Sequence, residues 1–141
     1  MIKRILFASD FSGITANAER YTQDIARAMK AVVTVLHAVE PIADSEGDLA
    51  VEQFLASKRA TASVQGEAVA ERFRKAGVET ELLVDLGKRW QLIVDTATEG
   101  SYDLVVLGSH RLHDGDKVYL GTTTHKVFFA ADLPLLVVPE A

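Results

Sequence analysis

Two glycines enclose a polar, charged segment near the carboxyl end of the chain, and the residues around them could bind an anion. Gly108 ends an apolar run, and Gly121 precedes Thr122 and Thr123 at the start of a helical pattern. Free amides at a helix N-terminus favour phosphate, and threonine hydroxyls add donors. Gly108 would let the backbone turn sharply and remove a Cβ near a bound group. The pattern predicts a phosphate-binding loop; a simple turn at Gly108 and a simple helix cap at Gly121 are the alternatives.

Two further segments carry groups that could contact a ligand. Ala8, Ser9 and Asp10 follow the first apolar run, and Ala38 ends the second. The Asp10 carboxylate could accept a hydrogen bond from a ribose hydroxyl, hold a metal ion or cap the first helix. The backbone at Ala38 could meet the edge of a purine. In an open parallel sheet, ligands bind outside the carboxyl ends of the strands, so these segments would converge with the glycine loop if strands one and four are neighbours.

Hydrophobic periodicity alternates between strand-like and helix-like segments along the whole chain. The predicted strands are 2–8, 32–39, 78–85, 103–107 and 134–138. Two predicted helices have both limits, at about 49–76 and about 122–131. Two others have only a predicted start, after Ser12 and after Gly87. This order predicts one α/β domain spanning residues 1–141, with a parallel sheet, helices on both faces and right-handed crossovers.

Finer expectations concern helix faces and surfaces. The third strand alternates apolar and polar residues, which is typical of a strand at a sheet edge. Lys88 and Arg89 are expected to form a solvated surface. The long second helix is expected to bury one apolar stripe, made of Leu49, Phe54, Ala60, Val64, Ala68, Val69 and Phe73.

Composition limits the class of protein. The chain has 141 residues, a formal net charge of −5 and no cysteine. Absence of cysteine excludes disulfides and thiolate zinc sites and suits a reducing compartment. Negative charge argues against general binding to nucleic acid or anionic membranes. The short apolar run after Lys3 and Arg4 does not fit a signal peptide, so we expect a cytoplasmic protein without membrane contact.

Four segments distributed along the chain are distinctive: IKRILFASDFS, LHAVEP, DLVVLGSH and LPLLVVP. Through these segments the chain resembles the universal stress protein family over nearly its whole length. The nucleotide-binding branch of that family carries the pattern G-x2-G-x9-G-[ST]. Gly108 matches its first glycine, and Gly121 with Thr122 matches its last glycine and hydroxyl, whereas Arg111 occupies the place of the middle glycine.

The resemblance implies a flavodoxin-like (adenine nucleotide alpha hydrolase-like) open five-stranded parallel sheet with strand order 3-2-1-4-5. It also implies a role in stress response, a homodimer joined along the last strand, and ATP, with or without Mg²⁺, in the cleft. The contacts it implies for ATP lie at Ala8, Ser9, Asp10, Ala38, Gly108, Arg111, Gly121, Thr122 and Thr123. Arginine is poorly suited to a position that requires a positive φ or the close approach of a phosphate group. Its guanidinium can, however, pair with phosphate oxygens. The role of Arg111 therefore stays open.

Three other hypotheses remain. His110, His113, Asp114 and His125 could hold a metal ion, but their spacing does not define a tetrahedral set. No nucleophile, base and orienting group form a visible catalytic set, because neighbours such as Ser9 and Asp10 seldom face each other; slow ATP hydrolysis is the most that we expect. The third hypothesis is a dimeric stress protein that binds no nucleotide and acts through protein contacts, since the apolar strand 135–138 would invite pairing.

Overall fold

The computed structural model describes residues 1–42, 47–109, 112–115, 117–119 and 121–140, with the backbone alone for 112–114 and 117–119. The strands are β1 (Arg4–Ala8), β2 (Val32–Val39), β3 (Thr80–Leu86), β4 (Leu104–Ser109), β5 (Leu112–Asp114), β6 (Lys117–Tyr119) and β7 (Leu135–Pro139). The helices are α1 (Ala16–Met29), α2 (Leu49–Lys75), α3 (Arg89–Glu99) and α4 (Thr122–Ala130), and a 3-10 turn (Gly13–Thr15) precedes α1.

Five strands form one parallel sheet in the order β3-β2-β1-β4-β7. Because β5 and β6 pair only with each other in this part of the chain, β7 is the fifth strand of the main sheet, and the predicted order 3-2-1-4-5 is confirmed. The predicted edge position of the third strand is also confirmed. The antiparallel β5–β6 hairpin was not predicted. It lies between the two glycines, in a segment that the sequence analysis treated as a loop.

Continuous apolar strands are explained by helices on both faces of the sheet. Ile5 and Phe7 of β1 belong to one buried cluster, in which α1 and α2 cover the sheet. The alternate residues Leu6 and Ala8 belong to a second cluster, which α3 and α4 cover. Successive side chains of a strand point to opposite faces, so a strand with two covered faces has no polar side.

The prediction of which residues of α2 form its buried stripe is mostly wrong. Of the predicted positions, Leu49 is 66%, Phe54 52% and Val64 73% exposed, and only Val69 and Phe73 are buried. The buried face is instead formed by small residues in its middle and by its last turns, namely Ala62, Gly66, Val69, Ala70 and Phe73. Small residues allow the helix to approach the sheet closely: a Cβ on Gly66 would lie 2.6 Å from Leu82 Cδ1.

Candidate functional site

A cleft lies at the carboxyl ends of β1, β2 and β4, where α3 and α4 begin. We call it the main cleft; it encloses about 780 Å³ of space outside the protein atoms, part of it open to solvent. The sheet order reverses next to β1, since β2 pairs on one side and β4 on the other. The cleft therefore occupies the topological switch point at which open α/β sheets bind ligands.

The main cleft brings together seven of the nine residues predicted from the sequence. These are Ala8, Ser9, Asp10, Ala38, Gly108, Gly121 and Thr123. Thr122 does not line it; its side chain is exposed on the first turn of α4. Arg111 lies outside the described residues, so its role stays a prediction.

The inner wall of the main cleft is apolar and continues the core. Ala8 and Leu36 stand opposite each other on β1 and β2, and Ala8 also stands opposite Leu107 on β4. Ile93 of α3 closes this wall from the second buried cluster. Such a surface can hold the face of a flat heterocycle, since apolar area is removed from water when the two meet.

The beginning of α4 supplies the polar end of the main cleft. Gly121 is the N-cap, with extended backbone (φ −65°, ψ 160°), and no side chain caps the helix. Gly121, and neither Thr122 nor Thr123, therefore occupies the N-cap position. The first amides of a helix have no partner within the helix, so an uncapped start facing a cleft can donate to an anion. A Cβ on Gly121 would meet no protein atom within 4 Å, and the space beside it is open.

Gly108 is required for a reason that differs from the one predicted. It does not form a turn; it lies within β4, without positive φ. Its missing side chain faces the 3-10 turn, and a Cβ there would lie 3.0 Å from Thr15 Cα and 3.1 Å from Thr15 Cγ2. The glycine therefore lets Thr15 pack against the strand end. Thr15 in turn hydrogen-bonds Ser9, with 3.0 Å between the two hydroxyl oxygens.

Asp10 lies in a short, strained turn. Its Oδ1 accepts a hydrogen bond from the Ser12 amide at 2.8 Å, which is a local turn contact rather than a cap of α1. The next residue, Phe11, has a φ of 63°, and its ring stacks on His37 with 4.4 Å between ring centroids. Left-handed backbone in a bulky residue is costly and concentrates at functional sites. The stack holds this turn against β2.

The Asp10 carboxyl has a pKa below its ordinary value. Partial burial acts most strongly and by itself raises the pKa. The Ser12 hydroxyl, its amide and the Arg89 charge favour the carboxylate, and together they outweigh burial. The Ser12 hydroxyl acts through proximity alone, since it makes no hydrogen bond of good geometry with a described group. Asp10 is therefore a charged acceptor at neutral pH.

Arg89 is the main residue that the sequence analysis missed. It was expected on a solvated surface with Lys88, but it is half-buried and lines the main cleft, whereas Lys88 is exposed. Arg89 begins α3, just after the carboxyl end of β3. The strand-end rule that singled out Asp10 and Ala38 applies equally to β3 and could have found it.

The positions of the described side chains give little support to the catalytic hypothesis or to the metal-site hypothesis. The Ser9 hydroxyl accepts a hydrogen bond from the Phe11 amide at 3.0 Å and bonds Thr15, so it is engaged in the turn. His125 is exposed on α4, with its ring 4.8 Å from that of Phe129. His110 and the side chains of His113 and Asp114 lie outside the described part, and the described side chains contain no group of three metal-binding residues.

The architecture and the cleft define a doubly wound α/β protein with a cleft at its switch point. The sequence profile of the Universal stress protein family matches residues 1–139. A curated relative, the universal stress protein encoded in the QAH/OAS sulfhydrylase 3′ region of Thermus aquaticus, is 32% identical over 140 residues, covering 98% of this chain and 99% of that protein. The chain therefore belongs to the universal stress protein family.

Solved structures share the fold. Universal stress protein UspA from Lactobacillus plantarum has a TM-score of 0.84, with 22% identity over 97% of both chains. A universal stress protein solved in complex with cAMP has a TM-score of 0.71, with 19% identity over 99% of this chain and 98% of that one. The protein from Archaeoglobus fulgidus solved in complex with dAMP has a TM-score of 0.69, with 22% identity over 98% and 99%.

Within the described residues, no helix is long and apolar enough to cross a membrane.

Proposed function

We propose that this universal stress protein binds an adenine nucleotide, with ATP as the first candidate, in the main cleft and thereby takes part in a stress response. The observation that carries the proposal is the uncapped start of α4, which lines the main cleft together with Asp10 and the apolar wall. The base would lie against that wall near Ala38, the ribose hydroxyls would donate to Asp10, and the phosphates would accept from the amides at Gly121 and Thr123. The two solved relatives with bound cAMP and dAMP support this choice of ligand class.

Calorimetric titration with ATP and Mg²⁺ tests the proposal. Gly121→Ala places a methyl group in the open space beside the start of α4 without meeting protein atoms. We expect ATP to bind the variant at least about tenfold more weakly, the effect of losing roughly one charge-assisted hydrogen bond.

Gly13→Ala is the matched control for this substitution. A Cβ on Gly13 also meets nothing within 4 Å, and Gly13 does not line the main cleft. Its affinity for ATP should equal that of the wild type. Absence of binding heat from the wild type at about 1 mM ATP, where even a binding free energy near −4 kcal/mol would register, would count against the proposal.

A second part of the proposal is a homodimer formed along β7. This strand is at the edge of the sheet and pairs with β4 alone in the described part of the chain. Leu135, Leu136 and Val137 are only half-buried there. An apolar edge with free backbone groups favours pairing with a second strand, and two-fold symmetry would place two copies of β7 side by side.

Light scattering after size-exclusion chromatography tests the dimer. Val137→Lys should shift the mass towards the monomer, because Val137 packs in neither large core cluster and the lysine would lie beside its symmetry mate. Val64→Lys is the control, since Val64 is 73% exposed on α2, away from this edge. A monomeric wild type at micromolar concentration, or an unchanged mass for Val137→Lys, would contradict this part.

A further inference from the structure

Within the described residues, Arg89 differs from the other arginines because its guanidinium has no hydrogen-bond, ion-pair or ring partner there. Arg20 donates to Asn17, Arg27 pairs with Asp24, Arg59 with Asp85, Arg72 with Glu19 and Arg74 with Glu67, and Arg4 lies over the Tyr102 ring. In the described part of the chain, the Arg89 backbone amide donates a hydrogen bond to Glu40 Oε1 at 3.2 Å. Among the described residues, no carboxylate forms an ion pair with its guanidinium.

Leaving a half-buried cation without hydrogen bonds is unfavourable, because lost hydration is not replaced. Among the described residues, the charge of Asp10 acts on Arg89 through space, and the Glu40 carboxylate accepts from the Arg89 backbone amide. An arginine held this way at a cleft is suited to an anionic group, since its planar donors match carboxylate and phosphate oxygens.

A second cleft adjoins the main cleft at Arg89. It encloses about 960 Å³, again partly open, and it shares Asp10, Ala38 and Arg89 with the main cleft. Lys58 of α2 also lines it, with its ammonium 5.6 Å from the centroid of the Phe54 ring, so two cationic residues border this space. Two carboxylates are there too, but each accepts from a backbone amide, Asp10 from Ser12 and Glu40 from Arg89. Hydroxyl and amide groups of Thr61 and Gln65 complete a polar lining.

The second cleft lies away from the start of α4. Its described lining comes from Asp10 after β1, from β2 and Glu40 after it, and from α2 and α3, and includes no residue of β4 or α4. Arg89 is therefore placed at the nucleoside end of the main cleft, beside Asp10, rather than at the end where Gly121 and Thr123 would hold the 5′-phosphates.

We propose that Arg89 and Lys58 form a second anion subsite, which takes a phosphate group carried on the 2′ or 3′ oxygen of the ribose. This inference rests on the proposed function, because it needs the ribose near Asp10. The preferred ligands are then adenine nucleotides phosphorylated on the ribose as well as at the 5′ position. The subsite adds to the 5′-phosphate contacts and involves no chemical step.

Calorimetry with AMP, adenosine 2′,5′-bisphosphate and adenosine 3′,5′-bisphosphate at constant ionic strength tests the subsite. We expect one bisphosphate to bind the wild type about ten- to hundredfold more tightly than AMP, and the tighter one identifies the oxygen. Arg89→Gln should reduce that preference to less than about threefold, and Lys58→Gln should reduce it partially. Lys88→Gln, an exposed neighbour outside both clefts, should keep it.

The outcomes separate this inference from the proposed function. AMP binding with no gain from either ribose phosphate overturns the subsite alone. A preference that survives Arg89→Gln, or an equal weakening of AMP and bisphosphate, also overturns it, because Arg89 would then act elsewhere in the cleft. No binding of ATP, AMP or either bisphosphate overturns both.

Discussion

Replacing Gly108 by alanine should destabilise the protein, because the new methyl group would press on the 3-10 turn. The Cβ would lie 3.0 Å from Thr15 Cα and 3.1 Å from Thr15 Cγ2, whereas carbon atoms prefer about 3.5–4.0 Å. Overpacking of this kind costs about 1–3 kcal/mol, and the lower entropy of unfolded alanine returns roughly 0.5–1 kcal/mol. We expect a net loss of about 1–2 kcal/mol in the free energy of unfolding.

Thermal and urea unfolding, followed by circular dichroism, measure this effect. With about 2.1 cal/mol/K per residue of unfolding entropy, 1 kcal/mol corresponds to roughly 3 °C for a chain of 141 residues, so Tm should fall by about 3–7 °C. The shift of Thr15 should also weaken its bond to Ser9 and lower nucleotide affinity. Gly121→Ala is the comparison, because its Cβ meets no protein atom, and its Tm should change by less than about 3 °C. A wild-type Tm for Gly108→Ala would refute the steric explanation.

Two further predictions concern stability. Phe73→Ala should lower the free energy of unfolding by about 3–5 kcal/mol, because the Phe73 ring is fully buried and its centroid lies 5.7 Å from that of the Phe7 ring. A urea midpoint near that of the wild type would contradict this prediction. Asp103→Asn should lower Tm at neutral pH, since Asp103 Oδ2 accepts from the amides of Lys3 at 2.8 Å and Arg4 at 3.0 Å, and these bonds hold the pKa of the carboxyl below its ordinary 3.8. A pKa that is lowered in the folded state stabilises the protein above the pKa of the unfolded state, and this stabilisation is lost as pH falls through the folded value. The difference in Tm should therefore shrink as pH falls below about 4, and a difference that stays constant throughout acid titration would contradict the explanation.

The element order and the strand ends were readable from local pattern. All strand bounds, and the ends of the predicted helices for which limits were given, agree with the structure to two residues or fewer. Apolar runs of five to eight residues and the breaks at Gly87 and Gly121 are local properties that need no tertiary information. The same pattern placed Asp10, Ala38 and Gly121 at strand or helix ends, and these residues do line one cleft.

Prediction from the local sequence pattern failed where a long-range contact decides which side of an element is buried. The face of α2 was misjudged because the exposed Leu49, Phe54 and Val64 look like core residues, whereas the buried Ala62 and Gly66 look neutral. Only the close approach of α2 to β3 makes small residues necessary, as the 2.6 Å contact of a Gly66 Cβ with Leu82 demonstrates. The reason for Gly108 was missed likewise, since Thr15 is remote in sequence.

Sequence by itself determined that this chain alternates strands and helices and that its candidate ligand groups follow strand ends, because periodicity and turn residues are encoded locally. Tertiary structure alone decided which groups meet there. It stacks Phe11 on His37 across the end of β2, and it brings Arg89 from the start of α3 to within electrostatic reach of Asp10. Those pairings depend on the parallel register of β1, β2 and β3, which joins residues far apart in the chain through hydrogen bonds that no local window contains.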